Sequence, residues 1–119
     1  MKIINLTSEH RGGAQSTTFS GRPEGEAVRK ELNLDAIDNS SDPVTITIPN
    51  DTTSFNPSFF LGLLFKSVKK MGSVDAFKKR FSFDFSNYTD FELLKYVQQD
   101  IEDSYRRCIN ELNQKTGLD

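Results

Sequence analysis

Val44, Ile46 and Ile48 alternate with Thr45 and Thr47 between Pro43 and Pro49, and this run of β-branched residues predicts a central strand. Phe60, Leu61, Leu64, Phe65, Val68 and Met71 then recur at three- and four-residue spacing, which lays one wide apolar stripe along a helix. Asn56 supplies its N-cap, Pro57 its first position, and Gly72 its stop. Phe81, Phe83 and Phe85 alternate with Ser82 and Asp84, so a further strand is expected from Arg80 to Phe85.

Weaker patterns flank these elements. Lys2 to Leu6 alternates as a short first strand, and a polar, glycine-containing turn leads to a second near Ala14 to Ser20; the two are expected to pair as a hairpin. Ser20 or Gly21 and Pro23 open a helix with a short apolar edge at Ala27, Val28, Leu32 and Leu34, and residues 38–43 break the chain before the central strand. Asn87 to Thr89 cap a long C-terminal helix at about 90–115, whose stripe is Phe91, Leu94, Gln98, Ile101, Tyr105, Cys108 and Leu112. The stripe predicts one amphipathic helix lying on a sheet, with a seam joining two copies of the chain as the alternative. The order implies an α/β fold, a mixed sheet of about four strands with about three helices packed on it, in a single domain over 1–119.

Composition narrows the function. Only 35% of residues are hydrophobic, but ten are phenylalanine, so a phenylalanine-rich core is expected. A net charge of −2 argues against a dedicated nucleic-acid binder, whose affinity comes from neutralising phosphates. The longest apolar run, Phe59 to Phe65, is far short of the ~20 residues that cross a bilayer, so no membrane partner is expected. No basic segment followed by an apolar stretch opens the chain, and the single cysteine excludes an intramolecular disulfide; a cytoplasmic location is expected.

Candidate chemistry is sparse. The one histidine, His10, lies in a loop, Cys108 sits on the helical stripe, and neither has a catalytic neighbour in sequence. Gly12-Gly13 lacks the lysine of a phosphate loop. Asp100, Glu102 and Asp103 read as the solvated face of the last helix. The expectation is therefore a non-enzyme with no cofactor and no metal. Lys78, Lys79 and Arg80 form a basic concentration that supports an alternative as a nucleic-acid-associated factor. The polar groups that gather most closely are Thr52, Thr53, Ser54, Asn56 and Ser58, followed by Phe59, at the strand-to-helix turn. Unsatisfied N–H groups at a helix start attract an anion or a phosphate carried by a neighbouring hydroxyl, while hydroxyls and amides also cap backbone groups with no ligand at all.

Thr18 to Arg29, then the strand, hydroxyl-rich turn and Ser58-Phe59 helix start of Val44 to Phe65, then the basic strand and helix of Lys79 to Arg107, together resemble the STAS-like domain family of unknown function. The wider group takes its name from sulfate transporters and anti-sigma-factor antagonists. Its small α/β domains switch protein partners when a serine at a helix N-terminus is phosphorylated by a kinase-like ATPase. The resemblance implies a bacterial or phage regulatory, protein-interaction module that binds a protein partner through residues 49–60, with Ser58 at the position of the switch serine. Asn56-Pro57-Ser58-Phe59 stands where the antagonists carry Asp-Ser-Ser-Gly. A small anion or ligand sensor using the same helix start is the other alternative.

Overall fold

The computed structural model describes residues 2–12 and 15–117. The elements run β1 (Lys2–Asn5), a short 3-10 helix (Ser8–Arg11), β2 (Thr18–Phe19), α1 (Arg22–Glu31), α2 (Leu34–Asp38), β3 (Val44–Thr47), β4 (Ser54–Phe55), α3 (Pro57–Met71), α4 (Val74–Arg80), β5 (Phe81–Asp84) and α5 (Phe91–Gly117). The fold is α/β, but the described residues form five short strands in two wholly parallel sheets instead of about four in one mixed sheet, and five α-helices instead of about three.

The expected opening hairpin is not formed. β1 pairs in parallel with β3, β3 in parallel with β5, and β2 in parallel with β4 in a separate two-stranded sheet. Parallel neighbours need long crossovers, and the helices between β1, β3 and β5 supply them. Ala14, the expected start of the second strand, lies outside the described residues; within them, β2 covers only Thr18–Phe19.

The three-stranded sheet is covered on one face. Ile4, Val44, Ile46 and Phe81 are buried, whereas Ile3, Asn5 and Ser82 on the opposite face are exposed, Ile3 at 56%. Parallel sheets usually carry helices on both faces, so this open side is a departure from the common pattern.

α3 is the centre of the molecule. An apolar stripe on one face was expected, yet Phe59 to Phe65, Ser67 and Val68 are all buried, as befits a helix apolar nearly all round. Asn56 caps it, accepting the Ser58 N–H at 2.9 Å, and Gly72 ends it with φ 97, a conformation that costs only glycine nothing. α1 lies along α3 in the same direction: Gly25 sits against Phe59 and Leu63, and Arg29 against Leu63 and Ser67. A Cβ on Gly25 would fall 2.3 Å from the Phe59 carbonyl oxygen, and one on Gly62 would fall 2.1 Å from that of Arg22. The two backbones therefore touch, and only glycine fits at either point.

Two helices were not anticipated. Asn33, at φ 54, breaks the expected first helix and starts α2. Ser73 caps α4 by accepting the Ala76 N–H, so Lys78, Lys79 and Arg80 form a last helical turn and the strand begins only at Phe81. α5 turns inward along Val97, Ile101, Ser104, Tyr105 and Cys108; of the expected stripe, Leu94, Ile101, Tyr105, Cys108 and Leu112 face the core, whereas Gln98 is exposed and Phe91 is 72% exposed. The core is phenylalanine-rich: Phe19, Phe55, Phe59, Phe60, Phe77 and Phe81 are fully buried. Phe60 meets the rings of Phe55, Phe77, Phe83 and Tyr105 within 6.3 Å, joining β4, α4, β5 and α5.

Candidate functional site

The turn between β3 and α3 lies at the carboxyl end of the central strand, where open α/β sheets bind their ligands. Each of its polar side chains has a partner. Thr52 is buried; its Oγ1 accepts from Arg11 Nη1 at 3.0 Å and its carbonyl from the Tyr88 hydroxyl at 3.2 Å. Thr53 is exposed, with Oγ1 2.9 Å from Thr17 Oγ1, and its N–H donates to the Thr17 carbonyl at 2.8 Å. Ser54 Oγ and the Phe55 N–H both donate to Asp100 Oδ2, at 3.1 and 2.9 Å. Asp100 thus turns inward to hold β4 against α5, instead of joining a solvated face.

At the start of α3, Asn56 Oδ1 accepts both the N–H and the hydroxyl of Ser58, the latter at 2.7 Å. Ser58 Oγ in turn accepts the Gly21 N–H at 3.1 Å, which ties the start of α1 to the start of α3. Pro57 has no N–H, and the Phe60 N–H donates to the Asn56 carbonyl. These groups take up the Ser58 and Phe60 N–H donors and the Ser58 hydroxyl, so much of the anion-ready end expected from the sequence is occupied by the chain's own caps. Phe59 is fully buried among Phe19 and Phe55 and presents nothing to a partner.

Arg11, Asp51 and Tyr88 were not singled out by sequence reasoning, because their pairing joins residues far apart in the chain. Arg11 is buried and forks onto Asp51 at 2.7 and 3.1 Å; among the described residues its Nε has no partner. That fork holds the Asp51 carboxyl below its ordinary range. Burial pushes the Tyr88 hydroxyl up to about 12.

The basic run is dispersed. Arg80 stacks on Phe81 and donates to the carbonyls of Ile37 and Asp42 at 2.5 and 2.9 Å, clamping the segment between α2 and β3. Lys78 Nζ lies 4.9 Å from the centre of the Tyr105 ring, while Lys79 is exposed. A different basic surface is concave: a groove of about 620 Å³ between α1 and α3, lined by Arg22, Arg29, Lys30, Lys66 and Lys69 against Glu26 and Asp35.

His10 is held as a structural link. Its Nδ1 accepts the Thr7 N–H at 3.0 Å, which leaves the proton on Nε2 to bond Glu31 at 2.8 Å. Cys108 is fully buried and its thiol is pushed up to about 12 by that burial. Among the described residues no group of three or more His, Cys, Asp or Glu side chains is placed to hold a metal ion, and no helix is long and apolar enough to cross a membrane. Comparison with protein-family models, with curated proteins and with solved structures finds no match for the chain.

Proposed function

We propose that the chain is a non-enzymatic regulatory module of the STAS-like kind, which engages a protein partner through the exposed side of the turn at 49–60. The observation that carries this reading is the double role of Ser58, whose Oγ donates to Asn56 and accepts from Gly21. A phosphate on that oxygen removes the proton given to Asn56 and brings two negative charges to the junction of α1 and α3. Gly21, at φ 93, is the pivot of that junction. Modification there alters how β2 leads into α1, beside Thr17 and Thr53 on the surface. A kinase-like ATPase or another cytoplasmic regulator is the class of partner this mechanism serves.

The test is a pull-down and interface map with a candidate partner, comparing the natural chain with Ser58→Asp, Ser58→Ala and Thr53→Asp. The reading expects Ser58→Asp to change binding at least ~10-fold, which corresponds to about 1.4 kcal/mol. Equal binding by all three variants would sink the switch.

A second reading, as a sensor of a small anion, is favoured by the groove between α1 and α3. Among the described residues the ammonium groups of Lys30, Lys66 and Lys69 make no hydrogen bond or ion pair. Inorganic triphosphate that raises the melting temperature of the natural chain, but not of Lys66→Glu/Lys69→Glu, would support it. Binding of nucleic acid through Lys78, Lys79 and Arg80 has less to build on, since Arg80 is committed to the backbone of residues 37–42.

A further inference from the structure

β5 ends the three-stranded sheet, and its outer side is unpaired among the described residues. Lys2 N–H donates to the Pro43 carbonyl and Leu6 N–H to that of Thr47, so the odd-numbered residues of β3 face β1. The even ones, Val44 and Ile46, consequently face β5; Ile46 bonds to Ser82 and Asp84, the residues flanking its register partner Phe83. Phe83 therefore turns both its N–H and its C=O outward. Its neighbours on the same side are half used: the Phe81 N–H donates to Phe77, and the Phe85 carbonyl accepts from Tyr88.

Beside this edge runs an apolar groove of about 420 Å³ between β5 and α5, lined by Phe83, Phe85, Ile101 and Tyr105 with Lys78 and Glu102 at its rim. α5 extends the groove. At 3.6 residues per turn, Phe91, Gln98, Glu102 and Ile109 share a face, and both apolar members are exposed, at 72% and 44%. Natural sheets guard open edges with lysine, proline, a bulge, charge or shortness; Phe81-Ser82-Phe83-Asp84 carries no lysine or proline, and its guards are its length of 4 residues and the one carboxylate of Asp84.

We infer that this edge is occupied by a second copy of the chain, joined β5 to β5 in antiparallel fashion about a two-fold axis at Phe83. The strand is self-complementary in that register. Phe83 of each copy forms a hydrogen-bonded pair with the other, Ser82 faces Asp84, and Phe81 faces Phe85. The groups left free on Phe81 and Phe85 are the C=O of one and the N–H of the other, which bond each other across the axis. Aromatic rings meet on the helical side of the joined six-stranded sheet and fill the two grooves. The rim is self-complementary as well, because each copy brings one Lys78 and one Glu102. This association is independent of the switch at Ser58, so variants at Ser58 and Thr53 leave it unchanged.

Sedimentation velocity over a concentration series tests it. The natural chain is expected at twice 13.5 kDa, and Phe83→Lys at 13.5 kDa. Because Phe83 also touches the core, Gln98→Lys/Glu102→Lys on the exposed helix face provides a variant that folds normally, checked by circular dichroism, and it too should weaken the dimer at least ~10-fold. Chains carrying Ser82→Cys mixed with chains carrying Asp84→Cys should form a disulfide-linked dimer on mild oxidation, while neither does so alone, since only the mixed pair stands at about 4.5 Å between Cα atoms. Buried Cys108 stays out of that reaction. A monomer at about 1 mM, or a dimer that survives both substitutions, overturns the inference.

Discussion

Two arginines are buried in this chain, and they are buried in different ways. Arg29 uses its whole guanidinium: Nε and Nη2 reach Asp35 at 3.1 and 2.8 Å, Nη2 reaches Asp38 at 2.5 Å, and Nη1 reaches the Leu63 carbonyl and Ser67 Oγ, both at 2.9 Å. Asp38 and Ser67 are themselves buried, so although the Asp35 side chain is 74% exposed, one full counter-charge of Arg29 is closed against α3 inside the protein. Among the described residues Arg11 Nε has no partner, and its counter-charge Asp51 has a side chain 61% exposed. One cation completes a knot among helices; the other is held half by the core and half by a loop in water. A charge in the first setting is costly to orphan, whereas in the second solvent can take over part of the partner's role.

The largest effect should come from breaking the closed network. Arg29→Met is expected to cost about 3–5 kcal/mol in urea unfolding, because it leaves Asp38 charged and buried. Adding Asp38→Asn should return part of that loss, and a full cost that persists in the double variant would mean that packing, not charge, dominates. Arg11→Met is expected to cost about 1–3 kcal/mol, less than Arg29→Met, since Asp51 can be hydrated; equal costs would erase the distinction between the two sites.

pH sharpens the contrast further. Burial raises Tyr88, which sits over Thr52 in the Arg11 region, from 10.0 to about 12. Its neutral form is favoured only when folded, so stability is complete below pH 10 and falls as pH rises toward about 12. Tyr88→Phe should make the alkaline limb shallower in a melting-temperature series, leaving the parts due to Tyr105 and Cys108, which burial raises as well. The smallest effect is on the acid side. Asp51 is depressed below 3.8 by its fork with Arg11, so its contribution is present near neutrality and is lost as pH falls through its folded value. Asp51→Asn should flatten that limb slightly while leaving the Arg29 network untouched.

Local signals were legible where neighbouring residues decide the outcome. β-branched alternation marked β3, Asn56-Pro57 and Gly72 bounded α3, and the alternating phenylalanines marked β5. Strand pairing was not legible, because β1 finds its neighbour some forty residues on and the turn between β1 and β2 carries no information about that. α4 was missed because Ser73 is a strong cap on a helix of only 7 residues, too short for a periodic stripe. In α5 a small polar residue, Ser104, fills a close contact that an apolar pattern assigns to larger neighbours. The hydroxyls at 52–58 were legible as a cluster, but their partners Arg11, Gly21 and Asp100 come from three other elements, and only those partners decide whether the cluster is open or filled.

Cys108 gives the fold a counter of its own. It is the only thiol in the chain, lies on the inward side of α5, and is sealed from solvent. A disulfide reagent added under native conditions can reach it only when α5 lifts from α3, so the rate of modification reads the frequency of that opening directly. Substitutions that leave global unfolding unchanged can then be ranked by whether they loosen this one helix.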